Sequence, residues 1–237
     1  MNRRALAALV LVAMTVLAGC ATGGVDRSRL GEDADYDYSR NATVTFDVHD
    51  GNYHAVVDVT EANQTEFELF WRADIGGEQP LTVAALKFRY PNGTVVGAEQ
   101  FTVEGSGGRT RVVAPAANGT MAFKASTGYK RLSVPVFAEG SHRVILPGGM
   151  HVAAPLFGSV SPGGYERYVA DGRVHLHWSE TPGGDVTVDY YLERDFYLVT
   201  GLAVGLLLLG AVGVLYFRHR IRELRRTRAE AGLDLEE

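Results

Sequence analysis

His175 and His177 are the side chains in this sequence best spaced for chemistry. They alternate with Val174, Leu176 and Trp178 over the segment Gly172–Trp178. On a strand, both imidazoles therefore leave one face, roughly 7 Å apart. Two such rings can chelate a metal or hold a small ligand. A metal needs more donors, and no third is adjacent; His142, His151 and Asp189 could join only if the fold brings them there. The plainer expectation is two solvated polar residues on an exposed face, with no metal and no cofactor. The glycine-rich run Gly105-Ser106-Gly107-Gly108-Arg109 lacks the Lys-Ser/Thr that opens a helix in a phosphate loop. Strand-like Arg111-Val112-Val113 follows instead, so a hairpin tip is expected. Neither G-x-S-x-G nor H-E-x-x-H occurs, and Ser159-Val160-Ser161 lacks the glycines of a nucleophile elbow. Asp and Glu are too abundant for any carboxylate pair to be informative. No catalytic residue is expected, and the chain reads as a non-enzyme.

The sole cysteine, Cys20, suits a different chemistry. Arg3 and Arg4 precede an apolar run from Ala5 to Leu17, which closes on Leu17-Ala18-Gly19-Cys20. A charged n-region, an apolar h-region and small residues at the end make a secretory signal, 1–19. With Cys at its end it resembles the lipobox of prokaryotic lipoproteins, which implies that Cys20 becomes the lipidated first residue. A thiol committed to lipid leaves none for a blue-copper site or a disulfide, so the exported part must be held by its core.

Four asparagines, Asn41, Asn63, Asn92 and Asn118, begin N-x-T sequons. In an exported protein these are glycosylation acceptors. Asn41 is favoured for its closeness to a tether at 20–40. Asn92-Gly93-Thr94 and Asn118-Gly119-Thr120 also read as turns entering strands.

The elements that carry these residues follow from periodicity. Phe196 to Phe217 is 22 residues without a charge, enough at about 1.5 Å per residue to cross a hydrocarbon core of about 30 Å. Phe196, Tyr197, Tyr216 and Phe217 mark its edges as aromatic belts do. Arg218, Arg220, Arg222, Arg225, Arg226 and Arg228 follow, which places the tail 218–237 in the cytoplasm and the bulk of the chain outside. Ile221 and Leu224 share a face there and read as a juxtamembrane helix drawn to anionic lipid. Gly201 and Gly205 form a GxxxG step that would allow weak homodimerisation.

Residues 21–195 hold 23 Asp and Glu against 15 Lys and Arg, a net charge of −8. That excludes nucleic acid as an evident partner, because phosphate binding needs a basic face. Only Lys87, Lys124 and Lys130 are lysines. An acidic surface with scarce lysine resembles proteins of salt-loving archaea; an acidic exported protein from a high-GC genome is the alternative.

Residues 20–40 are acidic, glycine-containing and nearly free of aliphatics, and read as a flexible tether. From Asn41 the period becomes two: Val44, Phe46 and Val48; Ala55, Val57 and Val59; Phe67, Leu69 and Trp71; Leu86, Phe88 and Tyr90; and later Val186, Val188, Tyr190 and Leu192. Turn chemistry separates the runs, as at Asp50-Gly51, Gly107-Gly108 and Pro147-Gly148-Gly149. The expected fold is all-β: an extracytoplasmic antiparallel β-sandwich followed by one C-terminal transmembrane helix. Its length suggests two abutting β-units, 41–139 and a juxtamembrane 140–195, with the membrane helix at 196–217. Glu193-Arg194-Asp195 would be the short connection.

The lipobox, the Pro91-Asn92-Gly93-Thr94 turn, the closing run Tyr190 to Tyr197 before one membrane helix, and the tail Glu230-Ala231-Gly232-Leu233-Asp234 resemble a family of haloarchaeal membrane-anchored lipoproteins, a domain of unknown function. The resemblance covers nearly the whole mature chain. It implies an archaeal surface location and brings no activity. Residues and resemblance together lead to one expectation: a non-enzymatic, membrane-tethered cell-envelope lipoprotein presenting its sandwich as an interaction or accessory module, with an envelope protein as partner. The alternative is a metal- or small-ligand-binding envelope protein using the His175/His177 face.

Overall fold

The alternation of Val44, Phe46 and Val48 with Thr45 and Asp47 produces β1 (Val44–Val48), and the rest of the fold is arranged around it. The computed structural model describes residues 25–39, 41–73, 77–152 and 158–230. Cys20 and the expected signal at 1–19 lie outside them. The chain divides after Tyr190 into a β unit and a helical unit.

The strands of the β unit after β1 are β2 (Asn52–Asp58), β3 (Glu66–Ala73), β4 (Gly77–Pro80), β5 (Ala84–Arg89), β6 (Val95–Val96), β7 (Thr102–Ser106), β8 (Arg109–Val113), β9 (Thr120–Ser126), β10 (Arg131–Val134), β11 (His142–Ile145), β12 (Met150–His151), β13 (Ser159–Ser161), β14 (Glu166–Ala170), β15 (Arg173–Trp178) and β16 (Val186–Asp189). Eight form one sheet in the order β14-β15-β11-β1-β2-β9-β5-β6, four form β4-β3-β8-β7, and three form β10-β16-β13. Within these sheets only β1 with β11 runs parallel; the remaining pairs are antiparallel, as for β1 with β2 and β2 with β9.

One apolar cluster joins the sheets. Phe46, Tyr53, Phe88 and Phe123 come from the large sheet, Phe67, Leu69 and Val112 from the four-stranded one, and Leu132, Val134, Val186 and Val188 from the three-stranded one. This is a β-sandwich, with the large sheet backed by two smaller ones. Phe137 sits between layers, its ring edge-on to Phe46 at 6.0 Å and Phe67 at 6.3 Å. Such aromatic contacts add about 0.5–1.5 kcal/mol each beyond simple burial.

Ladders cross the division expected between 139 and 140. β11 lies between β1 and β15, and β10 pairs with β16. The two stretches are thus woven into shared sheets, which pairs backbone groups that separate units would leave on open edges. A second difference concerns Trp71. Phe67 and Leu69 face the core, but Phe70 is buried and Trp71 is 45% exposed. β3 changes partner between them, from β8 at Glu66–Leu69 to β4 at Phe70–Ala73.

Of the stretch expected as a flexible tether, residues 25–39 are ordered. Asp26 caps α1 (Arg27–Leu30), and Leu30 is buried. Lys87 Nζ then donates to Asp33 Oδ1 at 2.6 Å and to the Ala34 carbonyl at 2.7 Å. Tyr36 Oη donates to the Ala85 carbonyl at 2.6 Å. Ala85 has φ +50° at a register shift in β5, and this bulge interrupts the ladder at the carbonyl that Tyr36 reaches. Residues 25–39 are therefore a strap pinned to the large sheet. A second short helix, α2 (Val59–Ala62), is capped by Asp58, whose Oδ1 accepts from the amides of Thr60 and Glu61.

In the helical unit, β17 (Tyr191–Leu192) leads into α3 (Glu193–Glu230). Glu193, Arg194 and Asp195, expected as a connection, form its first turn. This helix is long and apolar enough to cross a membrane, and none of its apolar window is buried within the structure. It continues without a break through the arginines, where Arg220 meets Glu223 at 3.2 Å. A Cβ added at Gly201 or Gly205 would meet nothing within 4 Å.

Candidate site on the outer face of the large sheet

β15 places His175 and His177 on the face of the large sheet that points away from the core, while Val174, Leu176 and Trp178 point into it. The expectation of two solvated rings needs correction. His175 is 6% exposed and stacked on Tyr168, with ring centroids 5.0 Å apart and planes 20° from parallel. His177 is half-buried. The reason is position: β15 is an interior strand with β14 on one side and β11 on the other, so neighbouring side chains cover it.

The registers give two rows across this face. One runs Glu166, His177, Arg143, Thr45 and Val56; the other runs Tyr168, His175, Ile145, Asp47 and His54. His175 and His54 thus share a row but stand three strands apart, about 14 Å at the usual inter-strand spacing. His142 points to the opposite face, 1% exposed, with Nδ1 2.9 Å from the Gly140 carbonyl. Asp189 belongs to the three-stranded sheet, where it accepts from Arg131 Nε at 2.6 Å and Ser159 Oγ at 2.7 Å. Among the described residues, no three His, Cys, Asp or Glu side chains are grouped to hold a metal ion.

The face holds an ion pair and a cleft instead. Arg173 Nη2 donates to Asp47 Oδ1 at 2.5 Å and to the Val48 carbonyl at 3.1 Å, and its Nε donates to Leu146 O at 2.7 Å. Beside Asp47, where the strap crosses, opens a cleft of about 370 Å³ lined by Asp35, Tyr36, Asp37, Thr45, Asp47, His49, His54 and Val56. His49 packs on His54 with centroids 4.5 Å apart, and Tyr36 meets His54 edge-on at 5.1 Å. Burial lowers the His54 pKa, and the neighbouring His49 lowers it further against an opposing pull from Asp47. Burial likewise raises the Tyr36 phenol. Both rings are therefore neutral at pH 7.

Polar groups on this face are incompletely satisfied. Tyr38 Oη, Thr45 Oγ1, His49 Nε2, Arg143 Nε and His177 Nδ1 are buried without a hydrogen-bond partner among the described residues. Buried polar atoms are normally paired, and leaving one unpaired costs about 1–3 kcal/mol. Such a concentration marks a face that water or a ligand completes. A larger depression of about 810 Å³ beside Trp71 is lined in part by Arg29, Arg72 and Arg131. Those guanidinium groups are already engaged by Glu32, Asp185 and Asp189, so that surface offers less unspent polar capacity.

Sequence reasoning did not single out His49, His54, Asp47 or Tyr36. The signal existed in part, because Thr45, Asp47 and His49 alternate on one side of β1 and its turn, and His54 stands opposite Asp47. The strap's contribution had no periodic signal at all.

The other expected sites are also placed. Gly107 and Gly108, at φ +60° and +83°, form the two-residue turn of the β7–β8 hairpin, with Ser106 opposite Arg109. Asn41, Asn63, Asn92 and Asn118 are all exposed. Their threonines differ: Thr43 is 3% exposed and hydrogen-bonded around Ser141 and Glu61, whereas Thr94 is exposed at the β5–β6 turn.

Comparison with curated proteins finds no match for this chain. A family model described as "Family of unknown function (DUF5803)" matches residues 40–236. The match spans the sandwich, the apolar helix and its basic extension, and on that extent the chain belongs to the DUF5803 family.

Proposed function

We propose that this protein is a non-enzymatic, membrane-tethered module of the archaeal cell envelope, its β unit held outside the cytoplasmic membrane between a lipidated Cys20 and helix α3. The observation that carries the reading is α3 itself. An uncharged stretch from Phe196 to Phe217 runs straight into six arginines between Arg218 and Arg228, the asymmetry that keeps a helix end in the cytoplasm. The lipobox-like Leu17-Ala18-Gly19-Cys20 supports an anchor at the other end. The acidic, lysine-poor β unit supports a salt-adapted surface. Its mechanism is presentation: a rigid sandwich offers its faces to an envelope partner close to the bilayer. Glycans at the exposed sequons would border that surface.

All three lysines, Lys87, Lys124 and Lys130, lie in the β unit, which gives a clean test. A membrane-impermeant amine reagent applied to intact cells should modify lysine-containing peptides of this chain, as read by mass spectrometry. Lysine labelling that appears only after lysis would place the β unit in the cytoplasm and overturn the reading.

A second reading, binding of a small ligand on the outer face of the large sheet, is favoured by the buried polar atoms without partners there. His175 and His177 belong to that face and would shape it from the β15 side.

A further inference from the structure

The cleft between the strap and β1–β2 has properties that narrow what it can hold. Its volume, about 370 Å³, lies at the lower end of small-molecule sites and far exceeds the space of one ion. Among the described residues no lysine or arginine lines it, whereas Asp35, Asp37 and Asp47 do. Arg173 is paired with Asp47, while the exposed Asp35 carboxylate has neither cation nor donor on it among the described residues. Tyr36 and His54, both neutral, supply aromatic surface. The cleft also contains Thr45, whose residue is fully buried at 0% exposure and whose Oγ1 has no hydrogen-bond partner among the described residues. That hydroxyl is an independent sign that something polar completes the cleft.

We infer that this cleft binds a small organic cation, a primary ammonium carried on a compact apolar body. An ammonium has three N–H donors and no acceptor, which matches Thr45 Oγ1 and the carboxylates. Its positive charge is favoured over the face of the Tyr36 ring, and its apolar body can lie against Val56 and His54. An anion would meet three carboxylates. A bare metal ion would find no cluster of three ligands among the described residues. The walls are already fixed, because Tyr36 is pinned to Ala85, the strap to Lys87 and Asp47 to Arg173; little ordering is left for the ligand to impose. This inference names the ligand class for the second reading above and is independent of membrane orientation.

The test uses the full chain in lipid nanodiscs with ring-labelled histidines, empty nanodiscs serving as the blank. Benzylamine, benzyl alcohol and benzoate are titrated under identical salt. Benzylamine should shift the His49 and His54 signals saturably, leave the inner-face His142 unmoved, and bind at least tenfold tighter than benzyl alcohol. Thr45→Val, nearly the same shape without the hydroxyl, should weaken benzylamine at least fivefold. Asp35→Asn, on an exposed residue, should also weaken it several-fold. If benzyl alcohol or benzoate binds as well as benzylamine, the face binds ligands but the cation assignment is wrong. If no probe moves His49 or His54, ordered water alone completes Thr45, and both the inference and the small-ligand reading fall.

Discussion

Arg173 on β15 reaches across β11 to set its guanidinium 2.5 Å from Asp47 on β1. Their side chains are only 24% and 15% exposed, and the same guanidinium holds the carbonyls of Leu146 and Val48. One side chain thus ties β15 to β1 across the intervening β11 and fixes one wall of the candidate cleft.

Removing it should be costly. A charge-assisted hydrogen bond contributes about 1.5–3 kcal/mol, and Arg173→Ala should destabilise the β unit by about 2 kcal/mol. For a unit of this size that is a melting-temperature decrease of roughly 4–8 °C. Arg72→Ala breaks a pair with Asp185 whose arginine is 57% exposed and should cost less than about 1 kcal/mol. Differential scanning calorimetry of both variants checks the contrast; equal shifts would show that the strand-bridging role is unimportant.

Acid should weaken the fold in a particular window. His142 and His54 both have lowered pKa values, in each case through burial first. The folded chain resists protonating them, while the unfolded chain titrates near the ordinary value of about 6.5. Their contribution to stability is complete above about pH 7 and declines as pH falls toward 5, because the unfolded state then binds more protons. Glu66 and Asp33, held low by hydrogen bonds from Arg111 and Lys87, act only below about pH 4.5. Urea midpoints at pH 7.5 and 5.5 should differ in the wild type, differ less in His142→Gln, and least when His54 is replaced by Gln as well.

His175 and His177 should respond differently to substitution. His175→Asn removes a buried ring stacked on Tyr168 and should lower the melting temperature by several degrees, on the order of 1–2 kcal/mol. His177→Asn, on a half-buried ring, should cost less. A chelator should reproduce neither change. A chelator-induced drop of ten degrees or more would reveal a structural metal, whose removal normally unfolds a small domain.

Glycan occupancy should follow the accessibility of the whole sequon. Asn92 and Thr94 are both exposed at a turn, while Thr43 of the Asn41 sequon is buried. Peptide mapping of natively produced protein should find Asn92 the most fully occupied site and Asn41 the least. Full occupancy of Asn41 would show that attachment precedes folding of β1.

Intact mass tests the N-terminal anchor. Protein extracted from membranes should lack residues 1–19 and carry added lipid mass on Cys20. Retention of Met1, or an unmodified Cys20 thiol, would remove one of the two tethers.

Local chemistry was sufficient for the elements. Strict alternation at Val44–Val48 and Val186–Val188, paired glycines at 107–108 and an uncharged run at Phe196–Phe217 each encode a backbone geometry through side-chain period or φ freedom, and neighbours along the chain suffice to express it. The outward placement of His175 and His177 was legible for the same reason. Burial was not, because whether an outward ring is solvated depends on which strands flank it, and β14 and β11 were beyond the reach of period counting. The strap was opaque for a related cause. Its hold on the sheet comes from a few long-range hydrogen bonds, Tyr36 to Ala85 and Lys87 to Ala34, which leave no periodic mark in a polar segment. The weaving of residues on both sides of position 140 into shared sheets, and the meeting of Tyr36, Thr45, Asp47 and His54 around one cleft, were decided by tertiary structure alone, since strand order and strap docking are settled by edge pairing and a common core rather than by any local preference.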